Sequence, residues 1–247
     1  MRLTIINSNS QGNGYILEND SEALLIECGV HFDKIKKALG FKLSKVVGCL
    51  ISHEHGDHCK SVKDVLAAGI NVYASYGTHG AMKTEGHHRA RFLHLDSVMA
   101  IGNFKVKSFL VKHDAAEPTG FLINHPETGV VLFLTDSYYS EYKFNGLNNV
   151  IIEANYCQSI IDKRVQDGAN PKFLRDRVIE SHMSLATCKE TLAANDLSGV
   201  NNIVLIHLSD GNSDANRFQS EVQQVTGKRV YVAEANMVIE NFHKQPF

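Results

Sequence analysis

Residues 45–58 read Lys-Val-Val-Gly-Cys-Leu-Ile-Ser-His-Glu-His-Gly-Asp-His, an apolar run followed at once by three histidines and an aspartate. The apolar run predicts a buried strand, so the polar residues lie at its end. Neutral imidazole and carboxylate are the ligands that a borderline divalent ion such as Zn²⁺ prefers. Side chains this close together cannot all reach one ion from a regular strand or helix. They can serve two ions if the backbone turns sharply, which Gly56 would permit. The segment therefore predicts a metal site.

Three further apolar segments of the chain end in a residue that can bind a metal. They precede His113, Asp136 and His207. Each of these residues alone would be weak evidence, because a histidine at a strand end is more often an ordinary residue of the core or rim. In layered α/β folds, however, functional sites collect where apolar strands emerge into loops at one edge of a sheet. The four strand ends together predict one shared site.

The segment from His53 to His58 resembles the His-x-His-x-Asp-His signature of the metallo-β-lactamase superfamily, and the resemblance extends along nearly the whole chain. It implies an α/β fold, the four-layered αββα sandwich, and two divalent metal ions, Zn²⁺ or Mn²⁺. One ion would take three histidines, the other an aspartate and two histidines, and a further aspartate would bridge them. In this sequence these residues are His53, His55 and His113 for the first ion, Asp57, His58 and His207 for the second, and Asp136 for the bridge.

The distribution of apolar residues predicts a first half rich in strands and a second half in which strands alternate with helices. A helix is expected directly after the ligand segment, at about 59–68, and others near 171–180 and 185–194. No linker, repeat or low-complexity tract interrupts the chain, which has only four prolines. We therefore expect residues 1–247 to form a single domain.

Composition narrows the class of protein. The chain has 25 Lys and Arg against 27 Asp and Glu, so overall charge does not indicate a nucleic-acid binder, and any attraction to phosphate must come from local charge and metals. The five cysteines are odd in number and scattered, which is typical of reduced thiols in a cytoplasmic protein. The apolar run at the N-terminus is too short for a signal peptide, and no stretch approaches the length of a membrane span. We expect no membrane partner, and this argues against the periplasmic, antibiotic-degrading branch.

The superfamily hydrolyses thioesters, lactones, amides and phosphodiesters, and some branches carry out iron redox chemistry. Redox branches replace the second histidine of the signature by an acidic residue, whereas His55 is present here. A resemblance to RNase Z and related phosphodiesterases implies that Glu153, at a strand end, pairs with His182, which would protonate the leaving oxygen. The alternative is that His182 and Ser184 only cap the helix beginning near Leu185, a task that Ser184 alone would perform well.

A narrower resemblance, to the YycJ/WalJ-type group of the superfamily, rests on four short segments. These are Asn7–Gly14, Glu153-Ala-Asn155, the run from Lys172 to Ser184, and His207-Leu-Ser209 followed by Asn212. It implies a bacterial or phage metal-dependent nuclease with DNA exonuclease activity. Two residues depart from the pattern: Glu27 replaces the usual Asp, and Ser181 replaces Gly. The first departure would alter the hydrogen bonds behind the ligand segment without abolishing metal binding.

Five basic residues lie between Glu153 and His182: Lys163, Arg164, Lys172, Arg175 and Arg177. On two helices facing the cleft they would follow a phosphate backbone. Mixed with acidic residues, they fit an ordinary solvated helix face equally well. The substrate contacts that we predict are Asn155, Ser184, Arg175 and Arg177. The histidines at positions 79, 87, 88 and 94 are assigned no metal.

These observations predict a dinuclear metal-dependent phosphodiesterase that acts on DNA as an exonuclease. A hydroxide bridging the two metals, oriented by Asp57, would attack phosphorus, and His182, assisted by Glu153, would protonate the leaving oxygen. Two alternatives stay open. A cyclic-phosphate or cyclic-nucleotide phosphodiesterase would use His182 but not the basic helices. A small-molecule hydrolase of the glyoxalase II or lactonase type would need no acid, because a thiolate leaves without a proton.

Overall fold

The structure is a computed structural model that describes residues 1–245. Within this part of the chain, fourteen strands form two seven-stranded sheets. The strands of the first sheet are β1 (Arg2–Asn9), β2 (Gly12–Glu18), β3 (Ala23–Ile26), β4 (Val46–Leu50), β5 (Val72–Ala74), β6 (Ala90–Phe92) and β14 (Met237–Ile239). The strands of the second sheet are β7 (Val98–Ile101), β8 (Phe104–Leu110), β9 (Thr119–His125), β10 (Gly129–Leu134), β11 (Leu147–Glu153), β12 (Asn202–Ile206) and β13 (Arg229–Val232).

The two sheets follow one plan. Their strand orders are β14-β1-β2-β3-β4-β5-β6 and β13-β12-β11-β10-β9-β8-β7. Pairing is antiparallel in one half of each sheet and parallel from β3 through β6 and from β10 through β13. Parallel neighbours end at the same edge of their sheet, so each sheet gathers several strand ends in one place. This is where α/β proteins place their sites.

The part of the chain that the structure describes has eight α-helices, several of which cover the outer faces of the sheets. They are α1 (Phe32–Ala38), α2 (Gly56–Cys59), α3 (Val62–Ala67), α4 (Tyr76–Met82), α5 (Gln158–Gln166), α6 (Lys172–Ser181), α7 (Leu185–Ala193) and α8 (Ala215–Thr226). Ile35 of α1 and Val65 of α3 pack with the outer side of the first sheet. Cys188 of α7 and Phe218 of α8 pack with the outer side of the second sheet. The layers are therefore αββα, and the predicted fold is confirmed.

A third apolar cluster fills the space between the two sheets. It contains Tyr15 of the first sheet and Phe104, Phe121 and Phe133 of the second, each almost fully buried. The Tyr15 and Phe133 rings meet edge to face with centroids 5.6 Å apart. Burying a side chain of this size contributes roughly 1.5–3 kcal/mol. This core gives the strand ends above it a rigid base.

The structure differs from the sequence predictions at two places, directly after the ligand segment and at the edge of the first sheet. The helix expected at 59–68 is divided into α2 and α3, and α2 begins at Gly56. The chain turns where the extended backbone of His55 (φ −60°, ψ 145°) meets the helix that begins at Gly56, so the turn lies where the sequence allowed it, but Gly56 itself has ordinary helical backbone. Strand β6 was not predicted, since its three residues lie in a polar stretch.

No helix among residues 1–245 is long and apolar enough to cross a membrane. The single domain over 1–247 stays a prediction, and its last two residues lie outside the described part of the chain.

Candidate metal centre

All seven sequence-predicted metal ligands come together at the ends of strands from both sheets. Strand β4 leads into the segment that carries four of them, and β10 and β12 each lead into one. The seventh, His113, follows β8. In three groups, the ligand atoms lie within 4.8 Å of one another: His53, His55, His113 and Asp136; Asp57, His58 and His207; and Asp136, Glu153, His182 and His207.

The first cluster has the dimensions of a tetrahedral site. His55 Nδ1 lies 3.2 Å from His53 Nε2 and 3.1 Å from His113 Nε2. Asp136 Oδ2 lies 3.4 Å from His53 Nε2 and 3.6 Å from His113 Nε2. Ligands about 2.0–2.1 Å from a tetrahedral ion stand roughly 3.3–3.4 Å from each other. The four side chains therefore fit a divalent ion without rearrangement.

The second cluster has the same spacing. Asp57 Oδ2 lies 3.4 Å from His58 Nε2 and 3.2 Å from His207 Nε2. His58 Nε2 lies 3.1 Å from Asp136 Oδ2, the oxygen that also belongs to the first cluster. One oxygen thus faces both sets of nitrogens, which is the position that a bridging ligand needs.

Hydrogen bonds behind the ligands orient two of the imidazoles. His113 Nδ1 lies 2.9 Å from the carbonyl oxygen of Ser181, and His53 Nδ1 lies 2.9 Å from Ser52 Oγ. When Nδ1 donates to the Ser181 carbonyl, the Nε2 lone pair of His113 is directed into the cluster. Because Ser181 acts through its backbone, its side chain is not involved, which explains why Ser is accepted where the resemblance expects Gly.

Glu27 occupies the buried position behind His58. Its Oε1 accepts a hydrogen bond from the Ser52 N–H at 3.1 Å. Its Oε2 lies 3.6 Å from His58 Nδ1, and among the described residues neither atom has a hydrogen-bond partner. Burial raises the pKa of the Glu27 carboxyl, although the nearby His58 acts in the opposite direction. The departure from Asp therefore still leaves a carboxyl group facing the imidazole of His58, and the expectation that metal binding survives it stays a prediction.

Three residues at this edge have left-handed backbone although none is glycine. They are Glu27 (φ 62°), Asp136 (φ 45°) and His207 (φ 56°), each close behind a parallel strand. Such a conformation costs about 1–3 kcal/mol per residue and persists only where the surroundings impose it. The strand ends are thus held in a strained form that turns these side chains toward the clusters.

The electrostatics of the clusters favour a cation. Burial opposes charge on His207, but Asp136, Asp57 and Glu153 outweigh it and raise the pKa of His207 to about 10. Burial also opposes charge on Asp57, but hydrogen bonds with His207 and His58 hold its pKa far below the usual value. Burial and the neighbouring His58 lower the pKa of His53. Carboxylates that stabilise positive charge so strongly would stabilise a metal ion in the same way, so the donor set fits two divalent ions.

The predicted pairing of Glu153 with His182 is present in the structure. His182 Nδ1 lies 2.7 Å from Glu153 Oε1, and Glu153 Oε2 accepts from the backbone N–H groups of Ser137 (3.2 Å) and Met183 (3.1 Å). Burial opposes charge on His182, but the carboxylate outweighs it and raises the pKa of the imidazole. The His182 ring also stacks on His207, with centroids 5.2 Å apart. The side chain is 21% exposed, so it can reach a ligand.

Two concave surfaces flank His182. We call the first the polar pocket; it measures about 320 Å³ and is lined among others by Asn155, Arg177, His182, His207, Ser209 and Asn212. We call the second the aromatic groove; it measures about 550 Å³ and is lined by His113, Asp114, Tyr138, Phe173, Asp176, Arg177, Glu180 and Ser181. Arg177 lines both.

The structure brings two of the four predicted substrate contacts to these surfaces. Arg177 lines both, and Asn155 lines the polar pocket while its Nδ2 donates to the His207 carbonyl oxygen at 2.8 Å. Arg175 is instead paired with Asp162 (2.6 Å) and Asp176 (2.7 Å) and lines neither surface.

Ser184 is likewise used elsewhere, because its side chain caps α7 by accepting from the Thr187 N–H at 3.0 Å. Neither Arg175 nor Ser184 is therefore placed to contact a substrate. The capping alternative holds for Ser184, whereas His182 pairs with Glu153.

Sequence reasoning missed several residues that hold the ligands. Asn13 Nδ2 lies 3.3 Å from Asp57 Oδ2 and 3.2 Å from His58 Nε2, and Ser8 Oγ accepts from the His207 N–H at 2.9 Å. Both lie within the segment from Asn7 to Gly14, on which part of the resemblance rests but to which no role was given. A side chain at Gly29 would place its Cβ 1.6 Å from the Asp57 carbonyl oxygen, so this residue must be glycine.

Comparison with known proteins agrees with this geometry. A family model of the metallo-beta-lactamase superfamily matches residues 8–136. The chain is 26% identical to exodeoxyribonuclease YycJ of Bacillus anthracis, covering 100% of this chain and 97% of that protein. It is 28% identical to exodeoxyribonuclease WalJ of Streptococcus pneumoniae, covering 86% and 83%. Among solved structures, the metallo-beta-lactamase fold protein YhfI from Bacillus subtilis has a TM-score of 0.74 at 16% identity, covering 96% of this chain and 98% of that one.

Proposed function

Because the chain belongs to the metallo-β-lactamase superfamily and is a metal-dependent hydrolase, we propose that it is a dinuclear phosphodiesterase that degrades DNA as an exonuclease. The observation that carries the proposal is the hydrogen bond between Glu153 and His182 beside the two ligand clusters. A phosphodiester with an alkoxide leaving group needs a proton donor at this place. The relatives named as exodeoxyribonucleases support DNA as the substrate.

We assign the metal ligands as the sequence predicted them. His53, His55 and His113 would hold one ion, and Asp57, His58 and His207 the other, with Asp136 between them. When bound, two divalent ions, Zn²⁺ or Mn²⁺, activate water and neutralise the charge that develops on the phosphoryl oxygens.

The protein's own groups position the substrate and move the proton. Protonated His182 donates its proton to the departing oxygen, and Glu153 holds the ring by accepting from Nδ1. Asp57, whose side chain is partly exposed, orients the attacking water. The polar pocket receives phosphate: among the described residues that line it, Arg177 and His182 are cationic or can become so, and none is a carboxylate.

The cytoplasmic location also belongs to the proposal. It is supported by the five cysteines, which are free thiols at positions 28, 49, 59, 157 and 188.

The test is cleavage of 5′-labelled and 3′-labelled DNA, single- and double-stranded, by the Zn²⁺-loaded and the Mn²⁺-loaded protein. We expect metal-dependent degradation, and we expect His182→Ala to lose about 10²- to 10⁴-fold in rate while it keeps both metals. The two labels show the polarity of the reaction.

His94→Gln is the matched control, because it changes an exposed histidine that we place outside the centre. Full activity of His182→Ala on DNA would refute the assignment of His182 as the acid. No cleavage of any DNA with either metal would refute the nuclease proposal.

A further inference from the structure

Tyr15 carries a hydroxyl group into the apolar core between the two sheets. The residue is almost fully buried, and its ring packs on Phe133. A buried hydroxyl needs hydrogen-bond partners, because leaving it unsatisfied is costly. The partners of the Tyr15 hydroxyl are Ser8 Oγ at 2.7 Å and Asn13 Oδ1 at 3.4 Å. Both of these residues contact ligands of the second cluster, so the hydroxyl lies one residue away from the metal centre.

The hairpin of β1 and β2 brings the three polar groups together. Ser8 on β1 pairs with Asn13 on β2, and Asn13 and Tyr15 are two residues apart on the same strand, so the three side chains share one face of the sheet. The register shifts between Ile5 and Asn7, close to Ser8. Shifts of this kind are common next to active sites, where they direct a side chain toward the site. The hairpin thus places the three groups on the face that meets the ligands.

The protons in these contacts satisfy every group only if they run in one direction. The His207 N–H donates to Ser8 Oγ at 2.9 Å, and among the described residues Tyr15 is the only partner to which Ser8 can pass its own proton. Burial raises the pKa of the Tyr15 hydroxyl, which therefore stays protonated and donates to Asn13 Oδ1. With its oxygen held there, Asn13 turns Nδ2 toward Asp57, where Nδ2 lies 3.3 Å from Oδ2. Tyr15 thus connects the backbone of His207 with the side chain of Asp57.

We propose that Tyr15 is a positioning residue that acts through Ser8 and Asn13 and sets the affinity of the second cluster for metal separately from that of the first. This rests on the proposed function, in which each cluster holds one ion. Ser8 holds the N–H of His207, whose backbone is left-handed (φ 56°), and Asn13 holds Asp57. Loss of a partner behind a metal ligand typically costs 10- to 100-fold in metal affinity.

The histidines of the first cluster are oriented by other groups. His113 Nδ1 lies 2.9 Å from the Ser181 carbonyl oxygen, and His53 Nδ1 lies 2.9 Å from Ser52 Oγ. Neither contact involves the hairpin of β1 and β2. Removing the Tyr15 hydroxyl should therefore leave the first cluster in place, and the affinities of the two clusters should respond differently.

The experiment measures Zn²⁺ binding to the metal-free protein by competition with a chromophoric chelator, which gives one Kd for each ion. Tyr15→Phe removes only the hydroxyl and keeps the ring on Phe133. We expect it to raise the Kd of the second cluster about 10- to 100-fold and to leave the other Kd unchanged. His207→Ala, which removes a ligand of the second cluster, identifies the Kd of the first, and adding Tyr15→Phe to it should not change that value. Tyr73→Phe is the matched control, because Tyr73 is a buried tyrosine of the same apolar cluster but lies on β5.

A combined variant tests the route through Ser8 and Asn13. With Ser8→Ala and Asn13→Ala together, the Tyr15 hydroxyl has lost both residues through which it acts. Adding Tyr15→Phe should then change neither Kd. A further loss as large as in the wild-type background would refute the route and the proposal with it. If the combined variant does not fold, Tyr15→Phe alone decides.

The outcomes separate this inference from the proposed function. Wild-type Kd values for both ions in Tyr15→Phe would overturn the inference and leave the two-ion assignment intact. An equal loss for both ions, or the same loss in Tyr73→Phe, would show a general effect on the core and would also refute it. A wild type that binds only one ion would overturn the two-ion assignment and the inference together. Failure of the metal-loaded protein to cleave DNA would overturn the nuclease proposal alone, since the quantity measured here is metal binding.

Discussion

Replacing Glu153 by Gln tests the proton transfer separately from metal binding. In the native chain, Glu153 Oε2 accepts from two backbone N–H groups, those of Ser137 and Met183. The carbonyl oxygen of a Gln at this position must remain there to satisfy them, since a buried N–H without a partner costs about 1–3 kcal/mol. The amide NH₂ then faces His182 Nδ1, where Oε1 now lies at 2.7 Å. A donor in this place forces Nδ1 to accept, and the protonated imidazole loses its partner.

We expect Glu153→Gln to lower kcat on DNA about 10- to 100-fold, as is typical when a group that orients a functional histidine is changed. The assay pairs DNA with the p-nitrophenyl ester of thymidine 5′-phosphate, whose leaving group departs without a proton. The ester should be hydrolysed at nearly the wild-type rate, and the metal-to-protein ratio should remain unchanged. Two results would refute the reasoning: a wild-type rate on DNA, or a loss of metal, which would make Glu153 a ligand in the cluster that it shares with Asp136, His182 and His207.

Three other predictions concern metal, substrate and backbone. Asp136→Ala should lower the metal-to-protein ratio measured by elemental analysis, because Oδ2 lies in both clusters; an unchanged ratio would exclude Asp136 as the bridge. Arg177→Ala should weaken DNA binding and lower the slope of log Kd against log salt concentration by about one. Arg175→Ala should leave that slope unchanged, because the charge of Arg175 is already paired with Asp162 and Asp176. Equal slopes for the two variants would contradict the role of Arg177 in binding phosphate. Gly29→Ala should displace the Asp57 carbonyl, lower the metal-to-protein ratio and reduce the free energy of unfolding in urea by about 1–3 kcal/mol. Gly56→Ala should be tolerated, because a Cβ at Gly56 would have no atom within 4 Å and its backbone is helical. A Gly29→Ala protein that is stable and binds its full complement of metal would contradict this reasoning.

Local patterns predicted the strands and the metal-binding residues at their ends, whereas the four layers and the division of the candidate ligands between two ions were implied by the resemblance. Apolar runs such as the one before Asp136 predict strands by themselves, and the residue that follows each run lies at the edge of the sheet. The spacing within His53–His58 then required only that the chain turn once. The pairing of Glu153 with His182 was predicted from the resemblance and not from the pattern.

What the sequence did not predict depends on packing and on competition for partners. Gly56 was expected to permit a sharp turn, but the conformational freedom of glycine is not used, because the chain turns by passing from an extended His55 into a helix. Arg175 and Arg177 are equivalent in sequence, yet only Arg175 meets two carboxylates, and this depends on how α5 and α6 lie together. Asn13 reaches Asp57 from β2, which is distant in the sequence, a contact that no local pattern reveals.

The shared position of Asp136 also bears on how the protein would mature. The candidate ligands of the first cluster all precede residue 137, whereas the second cluster requires His207, which directly follows β12, a strand that pairs between β11 and β13. An ion in the second cluster would therefore tie the last third of the chain to the segment after β4, across the two sheets. Synthesis would complete the two binding sites in succession, and mild chelation should release the carboxyl-terminal part of the second sheet before the rest. Resistance to proteolysis near β12 would then report how far metal loading has proceeded.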